Sequence, residues 1–417
     1  MTALVSRRRR LTGLMGVVSV VSLVAVAGLL YVGAKGLSRY QGAQDTSMPT
    51  IRVPQTPVGM MATVDLFDRL TSVTVFVLHP HGEPGGSIIS VPVSADSGTG
   101  GIDTPIPLSE VYRADGAKAL VNAVESALTI TIDKAVVADV DKAETLLAPL
   151  SSVVVSLPSE VFTTESDEVV SLHPAGDIEL DIAEVVEVLN AHVPDQLEAD
   201  RIGVVEAVWQ GVAEAAGEGD LEQPIPTPVT SVDPATGDTV VVDPETPSNL
   251  NKILRQLWGG PVEARGLPTL PVEEGSAASG VDVVEVDTVE TVLVFATIAP
   301  SNMSAPQPGL SYRIVAPPGY DERVKFAVGA VLYLLGNVQS VYMGGPVQGT
   351  TSMVMSDPSY QESYVATSGM FGSPDFPEPD VLIEGVDVVI QLGLDFLEDS
   401  SDEGSTLVST TTSTTLG

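Results

Sequence analysis

The stretch VTVFVLHPHGEPGGSIISVPVSAD, residues 73–96, decides the fold. VTVFVL (73–78) is an unbroken apolar run rich in β-branched residues. Such a run suits a strand buried on both faces, where an alternating pattern would leave one face wet. HPHGEPGG (79–86) is dense in turn-formers, and SIISVP (87–92) reads as the returning strand of a hairpin. GEPGG lacks the lysine and the spacing of a phosphate-binding loop, so the glycines serve the turn.

Working outward, GAKALVNAVESAL (116–128) puts Ala117, Leu120, Val121, Val124 and Leu128 on one helical face. TITIDKAVVADV (129–140) reads as extended, KAETLLAPL (142–150) as a short helix and SSVVVSL (151–157) as a strand. IAEVVEVLNAH (182–192) and RIGVVEAVWQGVAEAAG (201–217) carry helical periodicity. Strands alternating with helices predict a layered α/β fold, with α+β as the neighbouring option. Residues 218–248, rich in Pro, Asp and Thr, read as an exposed excursion. NLNKILRQLWGG (249–260) resumes a helix, and VETVLVFATI (289–298) reads as a strand.

APSNMSAPQPG (299–309) marks a domain boundary. Beyond it, LSYRIVAPP (310–318) predicts a strand, RVKFAVGAVLYLLG (323–336) a helix, and VQSVYMG (338–344), TTSMVMS (350–356) and VDVVIQLG (386–393) three more strands. The expected organisation is a basic N-terminus (1–10), an apolar span (11–34), a polar, proline-containing tether (35–69) and a first α/β domain (70–300). A smaller α/β domain (310–396) and an acidic, then Thr/Ser-rich tail (397–417) complete it.

LTGLMGVVSVVSLVAVAGLLYVGA (11–34) follows the cluster SRRRR (6–10) and contains no charged residue. It exceeds the roughly 20 residues a bilayer-spanning helix requires. The arginines then stay cytoplasmic and residues from 35 onward lie outside the cell. A cleaved signal peptide is the competing reading, because Ala25-Val26-Ala27 is a cleavage-like site.

The formal net charge is −36. Eight of the 19 basic residues precede Leu70, so the other 11 face most of the 55 acids. Such a surface repels phosphate backbones and excludes nucleic acid as a partner. The chain has no cysteine, which excludes disulfides and thiolate chemistry. His79-Pro80-His81 lacks the third ligand a metal site needs, and no Gly-x-Ser-x-Gly elbow occurs. Trp209 and Trp258 fall on helical patterns and read as core or interface anchors.

Two stretches resemble a known family. ALVNAVESALTITIDKAVVADVDKAETLLAPLSSVVVSLPSEV (119–161) and GVDVVIQLGLDF (385–396) are similar to the helix-strand run and the closing strand of LytR-CpsA-Psr cell-envelope proteins that carry a LytR-type C-terminal domain. The resemblance implies one membrane span, an extracytoplasmic α/β domain, and transfer of glycopolymer from a polyprenyl-pyrophosphate carrier to the cell wall with Mg²⁺ and clustered arginines and aspartates.

That resemblance also assigns positions. The family's strand-end Ser-Ile-Pro-Arg-Asp falls on Ser90, Val91, Pro92, Val93 and Ser94, so Val93 replaces the arginine and Ser94 the aspartate. In LEADRIGVVEAVW (197–209), Arg201 matches the first arginine of the helix motif, while Val204 and Val205 replace the second arginine and the glutamine. An upstream arginine pair would fall in EVVEVLNAHVPDQ (184–196), which has none. Asp96 and Asp103 are the remaining candidate Mg²⁺ ligands. The expected function is a non-catalytic binding or scaffolding module at the envelope, partnered by the cytoplasmic membrane through 11–34 and by cell-wall glycopolymer or envelope proteins. A divergent transferase using Arg201 is the alternative, and an unrelated extracytoplasmic α/β protein remains open.

Overall fold

The computed structural model describes residues 49–99, 104–165, 168–194, 196–217, 231–232, 239–240, 246–271, 282–361, 364 and 369–399. The span 11–34, most of the 218–248 excursion, Asp103 and nearly all of the tail lie outside them. Among the described residues no helix is long and apolar enough to cross a membrane.

The chain enters its sheet at β1 (Val58–Val64), turns at 65–69 into β2 (Leu70–Leu78), and returns as β3 (Gly86–Val91). All residues of these three strands are buried, as the unbroken apolar runs require. The tether expected over 35–69 is therefore wrong at its end: VGMMATV is an interior strand of the sheet, paired on both edges. Its polar, proline-containing flank hid it, and its burial comes from partners distant in sequence. At the β2–β3 hairpin, Gly85 has φ of +103° and a Cβ there would meet the Pro261 carbonyl oxygen at 2.3 Å. Only glycine fits.

Helix α1 (Leu108–Leu128) crosses to β4 (Lys134–Ala138), which pairs parallel with β1. There follow α2 (Val140–Leu147), β5 (Ser152–Leu157), the hairpin β6 (Val161–Glu165) and β7 (Glu168–His173), and β8 (Gly176–Asp181), antiparallel to β5. Next come α3 (Ile182–Asn190), α4 (Glu198–Ala216), α5 (Leu250–Leu257) and β9 (Val262–Gly266), which pairs parallel with β3. The resulting five-stranded sheet runs β9-β3-β2-β1-β4 and is mixed.

Alternate residues of the sheet feed two cores. Met61, Phe76 and Ile88 meet Val208, Trp209 and Val212 of α4 and Ile253 of α5. The Phe76 and Trp209 rings stand edge to face at 5.7 Å. On the other face, Met60, Val75 and Ile89 pack with Leu120 and Val124 of α1.

The segment read as a strand over 289–298 is a helix, α6 (Thr288–Ile298). Asp287 caps it by accepting from the Val289 and Glu290 amides at 3.0 and 3.1 Å. Every residue from Thr291 to Ile298 is buried, so the helix is apolar all round and its sequence shows no 3.6-residue stripe. The chain continues through β10 (Ser311–Val315), α7 (Asp321–Tyr333), β11 (Asn337–Tyr342), β12 (Ser352–Met355) and β13 (Val388–Gln391). These strands form a second sheet, β11-β10-β13-β12, as the sequence predicts for each of them. The α/β expectation holds.

Candidate functional site

Strand β3 stops at Pro92, which has no N–H to extend the ladder. A turn closed by the Ala95 amide on the Pro92 carbonyl at 3.0 Å then folds the next residues inward. Val93 is 4% exposed and belongs to the α1-side core. Ser94 is 1% exposed, and its Oγ has no hydrogen-bond partner among the described residues. Both positions that the resemblance assigns to charged groups thus carry side chains turned into the fold.

Arg201 lies in the first turn of α4 and is 5% exposed. The structure does bring it to the end of β3: Ser90, Pro92, Val93, Glu198 and Arg201 border one cavity. That cavity measures about 20 Å³, room for roughly one water. The guanidinium also has partners of its own. Its Nη1 donates to both Glu198 carboxylate oxygens at 3.0 and 2.9 Å, and its Nη2 to the Leu189 carbonyl at 2.9 Å. This places a cation against the last carbonyls of α3, where a helix C-terminus favours it. The Glu198 amide in turn donates to Asp282. Burial pushes the Glu198 carboxyl up, Arg201 pulls it back, and Asp282 pushes it up further.

Beside this point lies a wider cleft of about 280 Å³, into which Arg69, Arg113 and Arg201 converge from three elements. Sequence reading missed Arg69 and Arg113. The first lies in the stretch taken for a tether, and the second carries no motif. Each of the three has a carboxylate three or four residues before it: Asp65 for Arg69, Glu110 for Arg113, Glu198 for Arg201. Arg69 Nε meets Asp65 at 2.7 Å. A further acid, Asp68, accepts from the Tyr112 hydroxyl at 2.7 Å, and burial together with that carboxylate pushes the phenol up to about 12. His192 completes the wall; burial, with Arg201 and Arg69 nearby, holds its pKa down. The cleft therefore lines itself with three arginines and four carboxylates. Its charge is balanced internally and slightly negative.

Among the described residues, the positions that the resemblance assigns to Mg²⁺ do not bring a set of carboxylates together. Ser94 is a buried hydroxyl where a hard carboxylate oxygen is required. Asp96 uses Oδ1 to accept from the Gly98 and Ile106 amides at 3.1 and 3.0 Å, which braces its own loop. Asp103 falls outside the described residues. Among the described residues no group of three or more His, Asp or Glu side chains could hold a metal ion. His79 is buried, with Nδ1 against the Pro84 carbonyl at 3.2 Å, while His81 is exposed on the hairpin turn.

The sequence matches no family model and no curated protein. Among solved structures, the chain is similar to a LytR-Csp2A-Psr enzyme from Actinomyces oris, at 18% identity and a TM-score of 0.37, covering 61% of this chain and 98% of that one. It is also similar to TagT of B. subtilis, at 16% identity and a TM-score of 0.35, covering 59% and 96%. TagV of B. subtilis is similar at 14% identity and a TM-score of 0.33, covering 57% and 93%.

Proposed function

We propose that this protein is a membrane-anchored, extracytoplasmic relative of the LytR-CpsA-Psr proteins that binds a partner at the cell envelope and does not transfer glycopolymer. The observation that carries this reading is the state of Arg201. The one arginine retained from the helix motif is buried, bidentate to Glu198, and separated from the β3 end by a cavity of about 20 Å³. A pyrophosphate carries several negative charges and needs arginine forks free to receive them. Here an incoming anion would have to displace Glu198 and Asp65 from their cations inside a cleft that already carries an excess of carboxylates. Separating a buried guanidinium from its carboxylate costs about 3–5 kcal/mol.

The transferase remains the second reading, favoured by one observation: three arginines do converge on a single cleft. Full-length protein in detergent, incubated with a polyprenyl-pyrophosphate analogue and Mg²⁺, separates the two. No release of phosphate or pyrophosphate above the protein-free rate is expected. Release that disappears in Arg201→Ala would establish the transferase and end the binding-module reading.

A further inference from the structure

A groove of about 810 Å³ opens on the other side of the 65–69 turn, bounded by α2, α3 and the β6–β7 hairpin. One lip is apolar. Leu66 and Phe67 are 89% and 79% exposed, although the turn that carries them is tightly held. Asp65 accepts from the Phe67 and Arg69 amides at 2.8 and 2.9 Å, and the Arg69 guanidinium lies 5.3 Å from the centre of the Phe67 ring. Two adjacent large apolar side chains exposed at a groove edge form an apolar patch of the kind that marks a contact surface. Ala183 of α3, with Ala191 and Pro194 just beyond its end, continues the apolar lining.

Much of the remaining lining is acidic. Glu144 of α2 and Glu184 and Glu187 of α3 contribute to it, and the only lining arginine or lysine is Arg69, already paired with Asp65. Glu184 is committed to the capping box with Asp181. Glu144 and Glu187 make no ion pair among the described residues. A groove that combines an apolar lip with unpaired carboxylates repels anionic lipid and anionic glycopolymer. It complements a chain that presents cations beside an apolar side chain.

We propose that this groove docks a basic peptide segment of a partner protein, its Lys or Arg side chains against Glu144 and Glu187 and an apolar side chain against Leu66 and Phe67. The inference rests on the binding-module reading and names its partner chemistry. The volume lies within the range of established ligand pockets, enough for a few residues of such a segment.

The test is fluorescence anisotropy on the full-length protein in detergent, with a labelled Lys-Leu-Arg-Phe-Lys-Leu probe. Controls are an all-acidic counterpart and a Lys-Gly repeat of equal charge. The expected result is binding of the first probe in preference to both controls. Glu144→Gln with Glu187→Gln, and separately Phe67→Ser, should each weaken it about tenfold, with the far-ultraviolet circular dichroism unchanged. Equal binding of the Lys-Gly repeat, or equal affinity of the variants, would reduce the effect to attraction by an acidic surface and overturn the proposal. So would failure of the wild type to bind the mixed probe. Release of phosphate in the transferase assay would instead remove the binding-module reading, whatever the peptide does.

Discussion

Arg201 and Arg313 are equally buried, each 5% exposed, and the fold treats them in opposite ways. Arg201 has a bidentate carboxylate and a helix-end carbonyl. Arg313, on β10, has the Ser340 hydroxyl at 3.4 Å and the face of Tyr342 at 5.7 Å, and makes no ion pair among the described residues. Burial pulls its pKa down to about 10. In a chain with 55 acids, abundance is therefore not what supplies a counter-charge. Geometry is. A helical arginine can take its partner from three residues earlier in the same helix, as Arg201 does with Glu198. A strand arginine depends on its cross-strand neighbours, and for Arg313 these are Ser340 and Val389. Arg201 stands where a local glutamate reaches it, and that pairing takes up guanidinium donors an anion would otherwise meet.

The hardest way to break this comparison is to build a third buried arginine. Val93→Arg restores the residue that the family resemblance places at the β3 end. Val93 packs in the core beside a cavity of only about 20 Å³. Overpacking and charge burial together should cost about 3 kcal/mol or more, read as a lower urea midpoint. A loss under about 1 kcal/mol with new phosphate binding would mean that the strand end is vacated, not sealed.

Replacing each natural arginine by methionine sharpens the contrast. Arg201→Met should lose about 2–3 kcal/mol, because Glu198 and the Leu189 carbonyl are left without their donor. Arg313→Met should fall within about 1 kcal/mol of the parent or gain slightly, since no ion pair is broken and the desolvated charge is removed. The first loss should also shrink on acidification. Arg201 lowers the Glu198 pKa, so in the variant burial and Asp282 raise it further than in the parent, and the variant gains more from taking up that proton. Stability attached to that proton is gained as pH falls through the folded value towards the unfolded one. Equal penalties for the two variants would show that carboxylate pairing is not what distinguishes the two sites.

The sequence made some of this visible and hid the rest for definable reasons. The hairpin 73–92 was legible because both strands are buried on both faces and the glycines between them are obligatory. The absence of charge at Val93 and Ser94 could be read directly, but their inward orientation could not, because it depends on the Pro92 turn. Glu198 stands three residues before Arg201 in the sequence, but a reading that treats the arginine as a ligand-binding group does not look for an internal partner. Helix α6 imitates a strand because complete burial erases its periodicity; Asp287 followed by Glu290 was the capping signal available. β1 could be recognised only by knowing its neighbours in the sheet.

The smallest expected effect tests how far the Arg201 charge reaches once Glu198 has paired with it. His192 lies against the same cleft, and its pKa is lowered first by burial, then by Arg201 and Arg69, with Asp65 acting the other way. Its ¹H–¹⁵N titration should therefore have a midpoint below the ordinary histidine value of about 6.5. A histidine with a lowered folded pKa adds stability that is complete above the unfolded value and is lost as pH falls through the window between the two. Arg201→Met should move the midpoint upward while burial keeps it below 6.5. Arg313→Met, on the other sheet, should leave it where it was. If Arg201→Met also leaves it unmoved, Glu198 screens its partner completely, and the two buried arginines differ more sharply than their contacts alone imply.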